Sequence, residues 1–335
     1  EFLSEDDGTS PWLLHLSYIK PHWPYVAPAP YNAMYSAEDV IPANKAEHEL
    51  KDPNQLMGCF MNRVAGKTFG EDYAREKVIP VYMGLITQID DQLGILFDFM
   101  EANGLMENTM IVFTSDHGDY LGDHWMGDKD YFHDPSVKIP MIIADPSEEA
   151  NKTRGTTDDS MVELIDLLPT FLEFYEGSVE KNVLDGLSLL PKIRGREPDW
   201  RSAVVSEYDY SCQVFRPELE RMPLDCRSYM IADEKWKYIH APGFPPVLFD
   251  RVNDPAELND LGRNPEYENI CDLMFKKLAD WSLQYRQRET WTEDKNLHMT
   301  GLEEQLGVII GYWDEKSAEG KDPKILPKRN PSLKN

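Results

Sequence analysis

Cysteine is scarce in this 335-residue chain. Its four cysteines (Cys59, Cys212, Cys226 and Cys271) are scattered and show no paired-ligand spacing. That excludes a disulfide framework for a chain this long, so the four read as buried or surface thiols. Basic residues are also in deficit, with 34 Lys plus Arg against 60 Asp plus Glu and a formal net charge of -26. No basic stripe offsets that field, which excludes a general nucleic-acid binder and disfavours an anionic membrane surface. No apolar run reaches 18 residues, so no membrane-spanning helix is expected. Gly-x-Ser-x-Gly, His-Glu-x-x-His, Gly-x-Gly-x-x-Gly and the phosphate-cradling Gly-x-x-x-x-Gly-Lys-Ser/Thr loop are all missing, which argues against the hydrolases, zinc proteases and nucleotide binders that depend on them.

What is present suits one large or two ordinary globular domains with a substantial core. Trp12–Ile19 is largely apolar and reads as a strand stopped by Pro21 and Pro24, with His15 expected to be a satisfied core histidine. Residues 27–70, rich in Pro, Asn and Lys, read as a long irregular excursion. From about Glu71 to Asn103, Ile79, Tyr82, Ile86, Ile89, Leu93, Leu96 and Met100 recur at helical spacing, and Asn103-Gly104 is a suitable stop. Thr109–Thr114 and Ile139–Ala144 are apolar runs of the kind buried on both faces of a parallel sheet. A second helix is expected over Met161–Phe174, with Leu164, Leu167, Leu168, Phe171 and Phe174 turned inward. This strand–helix alternation is the α/β pattern.

Beyond Gly195 the pattern changes to short strands at Ala203–Tyr208, Ser228–Ala232, Trp236–His240 and Val247–Phe249, with hairpin-like spacing. A helix over about Tyr267–Arg286 follows. A domain boundary is placed near residues 195–200, giving segments 1–197 and 198–335. The Lys-, Pro- and Asn-rich tail after Glu315 reads as loosely packed.

The sharpest chemical feature is Ser115-Asp116-His117-Gly118-Asp119, directly after a buried strand. Ligands of open α/β sheets gather at such strand ends, and Asp116 with His117 offers a divalent metal one hard oxygen and one imidazole. The same residues also read as a helix-capping Asp beside an exposed His. Lys129 either binds an anionic oxygen as a point charge or is a solvated loop lysine. His22, between Pro21 and Pro24, is either a stiffly held proton donor or an incidental loop histidine. His124 and His133 read as loop or structural histidines. Asn151-Lys152-Thr153 fits the glycosylation pattern, which means little without a known compartment.

Taken together, Lys20-Pro21-His22-Trp23-Pro24, Gln88-Ile89-Asp90-Asp91-Gln92-Leu93-Gly94, Ser115-Asp116-His117-Gly118-Asp119, Leu121-Gly122-Asp123-His124 and Lys129 closely resemble the sulfatase family of the alkaline phosphatase superfamily. Val137–Ile142, Glu163–Thr170, Lys237-Tyr238-Ile239 and Leu248–Leu261 extend the resemblance in the family's order over roughly residues 11–262. Gly301–Gln305 and Gly311–Asp314 look like the phosphonate monoester hydrolase/arylsulfatase branch. The resemblance implies a three-layer α/β/α core with a smaller C-terminal antiparallel sheet plus helix. Segment 1–197 would then be the C-terminal part of the catalytic domain and 198–335 an α+β subdomain with a tail.

It also implies metal-dependent hydrolysis of sulfate or phosphonate/phosphate monoesters and diesters, with another phosphodiesterase or phosphotransferase of the same superfamily, or a non-catalytic fragment or metal-stabilised binding module, as the alternatives. Asp116 and His117 match the family's second pair of metal ligands, and an imidazole there suits Mn, Fe or Zn as well as Ca. His22 and Lys129 match residues that contact the leaving-group and non-bridging oxygens of a small anionic ester. The family's nucleophile is a hydrated formylglycine made from a Cys/Ser-x-Pro-x-Arg motif. The sequence contains no such motif; Cys212-Gln213-Val214-Phe215-Arg216 has Val where Pro is required. The family's N-terminal aspartate pair is missing too. The nucleophile is therefore expected upstream, and the chain resembles the C-terminal two-thirds of such an enzyme. A cytoplasmic location is expected over a periplasmic or secreted one, and a homo-oligomer is left open.

Overall fold

In a computed structural model of the chain, the described residues are 3, 10–178, 183–196, 198–284 and 293–300. The stretches Gly301–Gln305 and Gly311–Asp314 and the tail after Glu315 lie outside them. Residues 27–70 are more ordered than their composition suggests. After three short 3-10 turns come helices α1 (Gln55–Met61) and α2 (Val64–Phe69). The Asn54 side chain caps α1 by accepting from the Leu56 amide, which satisfies one of the donors a helix start leaves over. Leu56, Met57, Phe60 and Met61 are all buried. Their spacing is helical, but the flanking prolines and asparagines obscure it.

Helix α3 (Asp72–Ala102) forms where the apolar spacing places it and ends at Asn103, followed by Gly104 at φ +67°. Its stripe is only partly covered, since Ile86 is exposed although it lies on the apolar face. Strands β1 (Ile111–Thr114) and β2 (Met141–Ala144) flank a single-turn helix, α4 (Asp134–Val137). The strands pair with each other antiparallel, with Ile111 opposite Ala144 and Thr114 opposite Met141. This corrects the expected parallel arrangement buried on both faces, because Phe113 is 40% and Ile142 62% exposed. Side chains alternate across a strand, so a two-stranded ribbon buries both faces only where a layer lies on each. Trp12–Ile19 enters no strand ladder among the described residues, and His15 is exposed rather than in a core.

The C-terminal sheet is an antiparallel meander, β3 (Ala203–Asp209), β4 (Arg227–Asp233), β5 (Trp236–His240) and β6 (Val247–Asp250), in that order. Register sets Ile231 opposite Tyr238 and Tyr238 opposite Leu248. These three point to one face, where they pack with Cys271, Met274 and Leu278 of α6 (Glu268–Gln284). Met230, Ile239, Val247 and Phe249 point to the other face and meet Phe60, Tyr120 and Phe132. Each fully buried large apolar side chain contributes roughly 1.5–3 kcal/mol, so this double-faced sheet is the stable heart of the chain. The smaller antiparallel sheet backed by a helix is as the sequence leads one to expect. All four cysteines are free thiols, with Cys226 and Cys271 buried and Cys212 exposed.

Compactness groups the described residues into two units. The described residues up to Val162 and Pro191–Trp281 form one unit, and Glu163–Leu190 belong to the other. In the latter unit α5 (Leu167–Phe174) starts later than Met161, after a 3-10 turn at Leu164–Asp166. Thr170 anchors it, donating to the Asp166 carbonyl at 2.6 Å and accepting from the Leu189 amide at 2.8 Å. Leu164 and Leu168 are exposed there rather than turned inward.

Candidate active site

The loop leaving β1 carries Asp116 and His117, and backbone geometry sets its path. The Gly118 amide donates to the Ser136 carbonyl at 2.8 Å. A Cβ on residue 118 would overlap the Pro135 carbonyl oxygen, so only glycine lets the two backbones approach. The Ser136 hydroxyl donates in turn to the Lys129 carbonyl. Two hydrogen bonds through one serine thus lock the Lys129 loop to the His117 loop.

Side-chain chemistry follows from that lock. His117 Nδ1 lies 2.6 Å from the Gly118 carbonyl. A carbonyl only accepts, so the proton sits on Nδ1 and Nε2 keeps its lone pair. Lys129 Nζ donates to that lone pair at 3.0 Å. Asp116 Oδ2 lies 3.7 Å from the same Nε2, on a side chain that is 86% exposed. His22 joins from a third stretch, with its ring centroid 5.9 Å from that of His117 in an edge arrangement. Its Nδ1 donates to the Trp23 carbonyl at 2.8 Å, which turns Nε2 into the working nitrogen. The four residues selected from the sequence therefore gather in one place, from positions more than 100 residues apart.

Several neighbours were not singled out in the sequence. Tyr25 donates to Asp119 Oδ2 at 2.8 Å, and the Leu121 amide donates to Asp119 Oδ1 at 3.2 Å. Burial pushes the Asp119 carboxyl above its ordinary range, against the pull of those two hydrogen bonds. On either side of Lys129, Asp130 pairs with Arg63 and accepts from the Tyr208 hydroxyl at 2.7 Å, and Asp128 lies 4.0 Å from Arg63. The adjacency of Pro24-Tyr25 to the His22 motif was the one available signal for Tyr25. Nothing local marked Arg63 or Tyr208.

His124 and His133 prove structural. Both are fully buried, their rings stack at 3.9 Å, and His124 Nδ1 meets Glu49 Oε1 at 2.8 Å. The Tyr120 hydroxyl accepts from the His133 amide at 3.1 Å and is hydrogen-bonded to His133 Nδ1 at 2.9 Å. Burial holds His133 well below the usual histidine range, helped by the neighbouring His124 and Lys237. Beside it, buried Lys237 reaches Asp134 at 2.6 Å and Glu257 at 2.5 Å.

For a divalent metal the donor chemistry fits in part. His117 has one ring N–H tied to a carbonyl, as a metal-binding histidine has, and its Nε2 lone pair, the one a metal would take, accepts from Lys129 Nζ. Asp116 supplies a carboxylate facing the same point. Zinc takes about four ligands and calcium about six to eight. No group of three or more His, Cys, Asp or Glu residues suited to a metal occurs among the described residues.

The mixed α/β fold with its antiparallel C-terminal sheet is that of the alkaline-phosphatase-like enzymes among the solved structures it matches. The sulfatase family model matches residues 1–177, and the chain belongs to that family. The C-terminal model of the N-sulphoglucosamine sulphohydrolases matches residues 122–284. The multifunctional alkaline phosphatase superfamily protein PehA of Trinickia caryophylli is 35% identical over 304 residues, covering 86% of this chain and 58% of that protein. An arylsulfatase of Clostridium perfringens is 30% identical over 298 residues, covering 89% of this chain and 58% of its own. Among solved structures, the phosphonate monoester hydrolase of Silicibacter pomeroyi matches with a TM-score of 0.78 at 26% identity, over 86% of this chain and 59% of that one. The chain thus spans less than two-thirds of the length of each of these three proteins.

Proposed function

We propose that this chain supplies the leaving-group side and part of the metal side of an active centre that hydrolyses sulfate or phosphonate monoesters. The convergence of Asp116, His117, Lys129 and His22 on one point carries this reading, in a chain whose relatives bear the names arylsulfatase and phosphonate monoester hydrolase. Asp116 and His117 would hold one divalent ion (Mn, Ca, Fe or Zn) together with ligands from outside the described residues. When bound, the ion supplies Lewis-acid polarisation and an upstream formylglycine supplies the attacking oxygen.

The chain's own residues do the rest. The Gly118 carbonyl holds the His117 proton on Nδ1 and so keeps Nε2 basic and aimed. Lys129 places a compact positive charge beside Nε2, where it meets the non-bridging oxygens of a bound ester and neutralises charge that builds on them. His22, held through Nδ1, presents Nε2 to the departing oxygen and carries the proton that oxygen needs. The overall charge of -26 does not oppose an anionic ester, because Lys129 and a divalent ion act locally.

The test is an ester-hydrolysis assay of the natural full-length protein that carries this chain, with an aryl sulfate and an aryl phosphonate ester. Lys129→Ala should lower kcat by roughly 10²–10³-fold, the size of losing one charge-stabilising donor. Asp116→Ala combined with His117→Ala should lower both turnover and bound metal measured by elemental analysis. Wild-type turnover and metal content in that double variant would overturn the reading.

A further inference from the structure

The His22 segment is anchored in an unusual way. Apart from one bond, every hydrogen bond described for residues 20–26 stays within or next to that segment. His22 Nδ1 donates to Trp23, Lys20 Nζ donates to the carbonyls of Pro24 and His22, and the backbone bonds reach only Ile19 and Pro24. The exception is the Tyr25 hydroxyl, which crosses to Asp119 at 2.8 Å. Tyr25 lies three residues beyond His22, and Asp119 two beyond His117.

Both ends of this tie are fixed from outside. The Tyr25 ring stands edge-on to Phe69 at 5.9 Å and to Tyr82 at 6.2 Å, side chains of α2 and α3. Asp119 is held at its other oxygen by the Leu121 amide. Burial, reinforced by Asp119, pushes the Tyr25 phenol well above its ordinary range, so it stays protonated and donates. A hydrogen bond between two braced side chains therefore spans the gap between the two histidine loops.

We infer that Tyr25 and Asp119 are a positioning pair, which sets His22 at its working distance from the metal-side loop and so governs how well the site handles esters with poor leaving groups. The inference rests on the proposed role of His22 and adds the device that holds it. Proton delivery matters most when the departing oxygen is basic and least when it leaves unaided. Loosening the tie therefore penalises alkyl esters and spares 4-nitrophenyl esters, whereas general structural damage slows both alike.

The experiment uses the natural full-length protein and variants Tyr25→Phe, Asp119→Asn and His22→Ala. Tyr25→Phe keeps the ring and removes only the hydroxyl. We expect kcat to fall by about 10–100-fold on an alkyl ester, the scale of a slightly misplaced catalytic group, with KM unchanged. On the 4-nitrophenyl ester the loss should stay under ~3-fold, the general-acid contribution being small there. Asp119→Asn has one acceptor oxygen for two donors, Tyr25 and the Leu121 amide, so its alkyl-ester rate should fall between those of the wild type and Tyr25→Phe. In a protein labelled at histidine Cε1, the His22 NMR signal, assigned through His22→Ala, should move in Tyr25→Phe, and by less in Asp119→Asn.

Equal losses on both esters, or an unmoved His22 signal, would overturn the pairing. If His22→Ala shows the leaving-group dependence and Tyr25→Phe does not, only the pairing falls. If His22→Ala shows none, the role given to His22 falls and the pairing with it.

Discussion

Strands β1 and β6 have nearly interchangeable sequences, Ile-Val-Phe-Thr and Val-Leu-Phe-Asp, yet all four residues of β6 are buried and none of β1 is. Strand β6 belongs to a sheet with α6 on one face and α1 with the Tyr120–Phe132 region on the other. Strand β1 has one partner, and its face remains partly open. Burial is decided by how many layers surround a strand rather than by how apolar it is. The cluster of His22, Asp116, His117 and Lys129 sits at the end of the open ribbon. What holds it there is polar, through Ser136, Gly118 and the Arg63–Asp130–Tyr208 ties, the last of which reaches into β3 of the closed sheet.

The largest contrast should come from two lysines. Lys237 is 1% exposed between two carboxylates, so Lys237→Ala strands both and should cost about 3–5 kcal/mol in urea unfolding. Lys129→Ala should change stability by less than ~1 kcal/mol while crippling turnover. Equal costs would erase the distinction between the closed and open regions. Leu248→Ala in β6 should cost about 2–5 kcal/mol, against under ~0.5 kcal/mol for Ile142→Ala in β2. A large effect at Ile142 would mean that its face is covered in solution.

Gly118→Ala should cost roughly 1–3 kcal/mol by forcing the Pro135 carbonyl aside, and should weaken the Lys129–His117 contact. Thermal unfolding together with a Lys129-dependent activity would separate the two effects.

The smallest effect concerns acid. Burial lowers His133 and His240 below the ordinary 6.5. Between that value and the depressed one, the unfolded chain binds protons that the folded chain refuses. Stability should therefore fall as pH drops below about 6.5, by at most ~1.4 kcal/mol per pH unit for each histidine, and level off below the folded-state value. Urea unfolding at pH 7 and pH 5.5 checks this, and His133→Asn should reduce the slope.

Much of this was legible in the chain itself. Helix α3 announces itself through Ile79, Tyr82, Ile86 and their successors, and the meander through four short strands with polar turns. Asp116, His117, Lys129 and His22 stand in recognisable surroundings, and the fold does bring them together. The direction of strand pairing was not legible, because an apolar run such as Ile111–Thr114 carries no mark of which way its neighbour runs. The exposure of Leu13, Leu16 and Ile142 was hidden too, since sequence records a side chain's apolarity but not the layers available to cover it. Long-range polar ties such as Tyr25–Asp119, 94 residues apart, leave no periodic trace at all.

The Ser136 lock has a mechanical consequence. Lys129 and His117 are joined through backbone atoms and behave as one rigid jaw, whose spacing few substitutions can retune. His22 stands on the opposite jaw, hinged on a single phenol. In the proposed reaction, a larger departing alcohol would be accommodated by moving the His22 jaw, with the Lys129–His117 jaw held fixed.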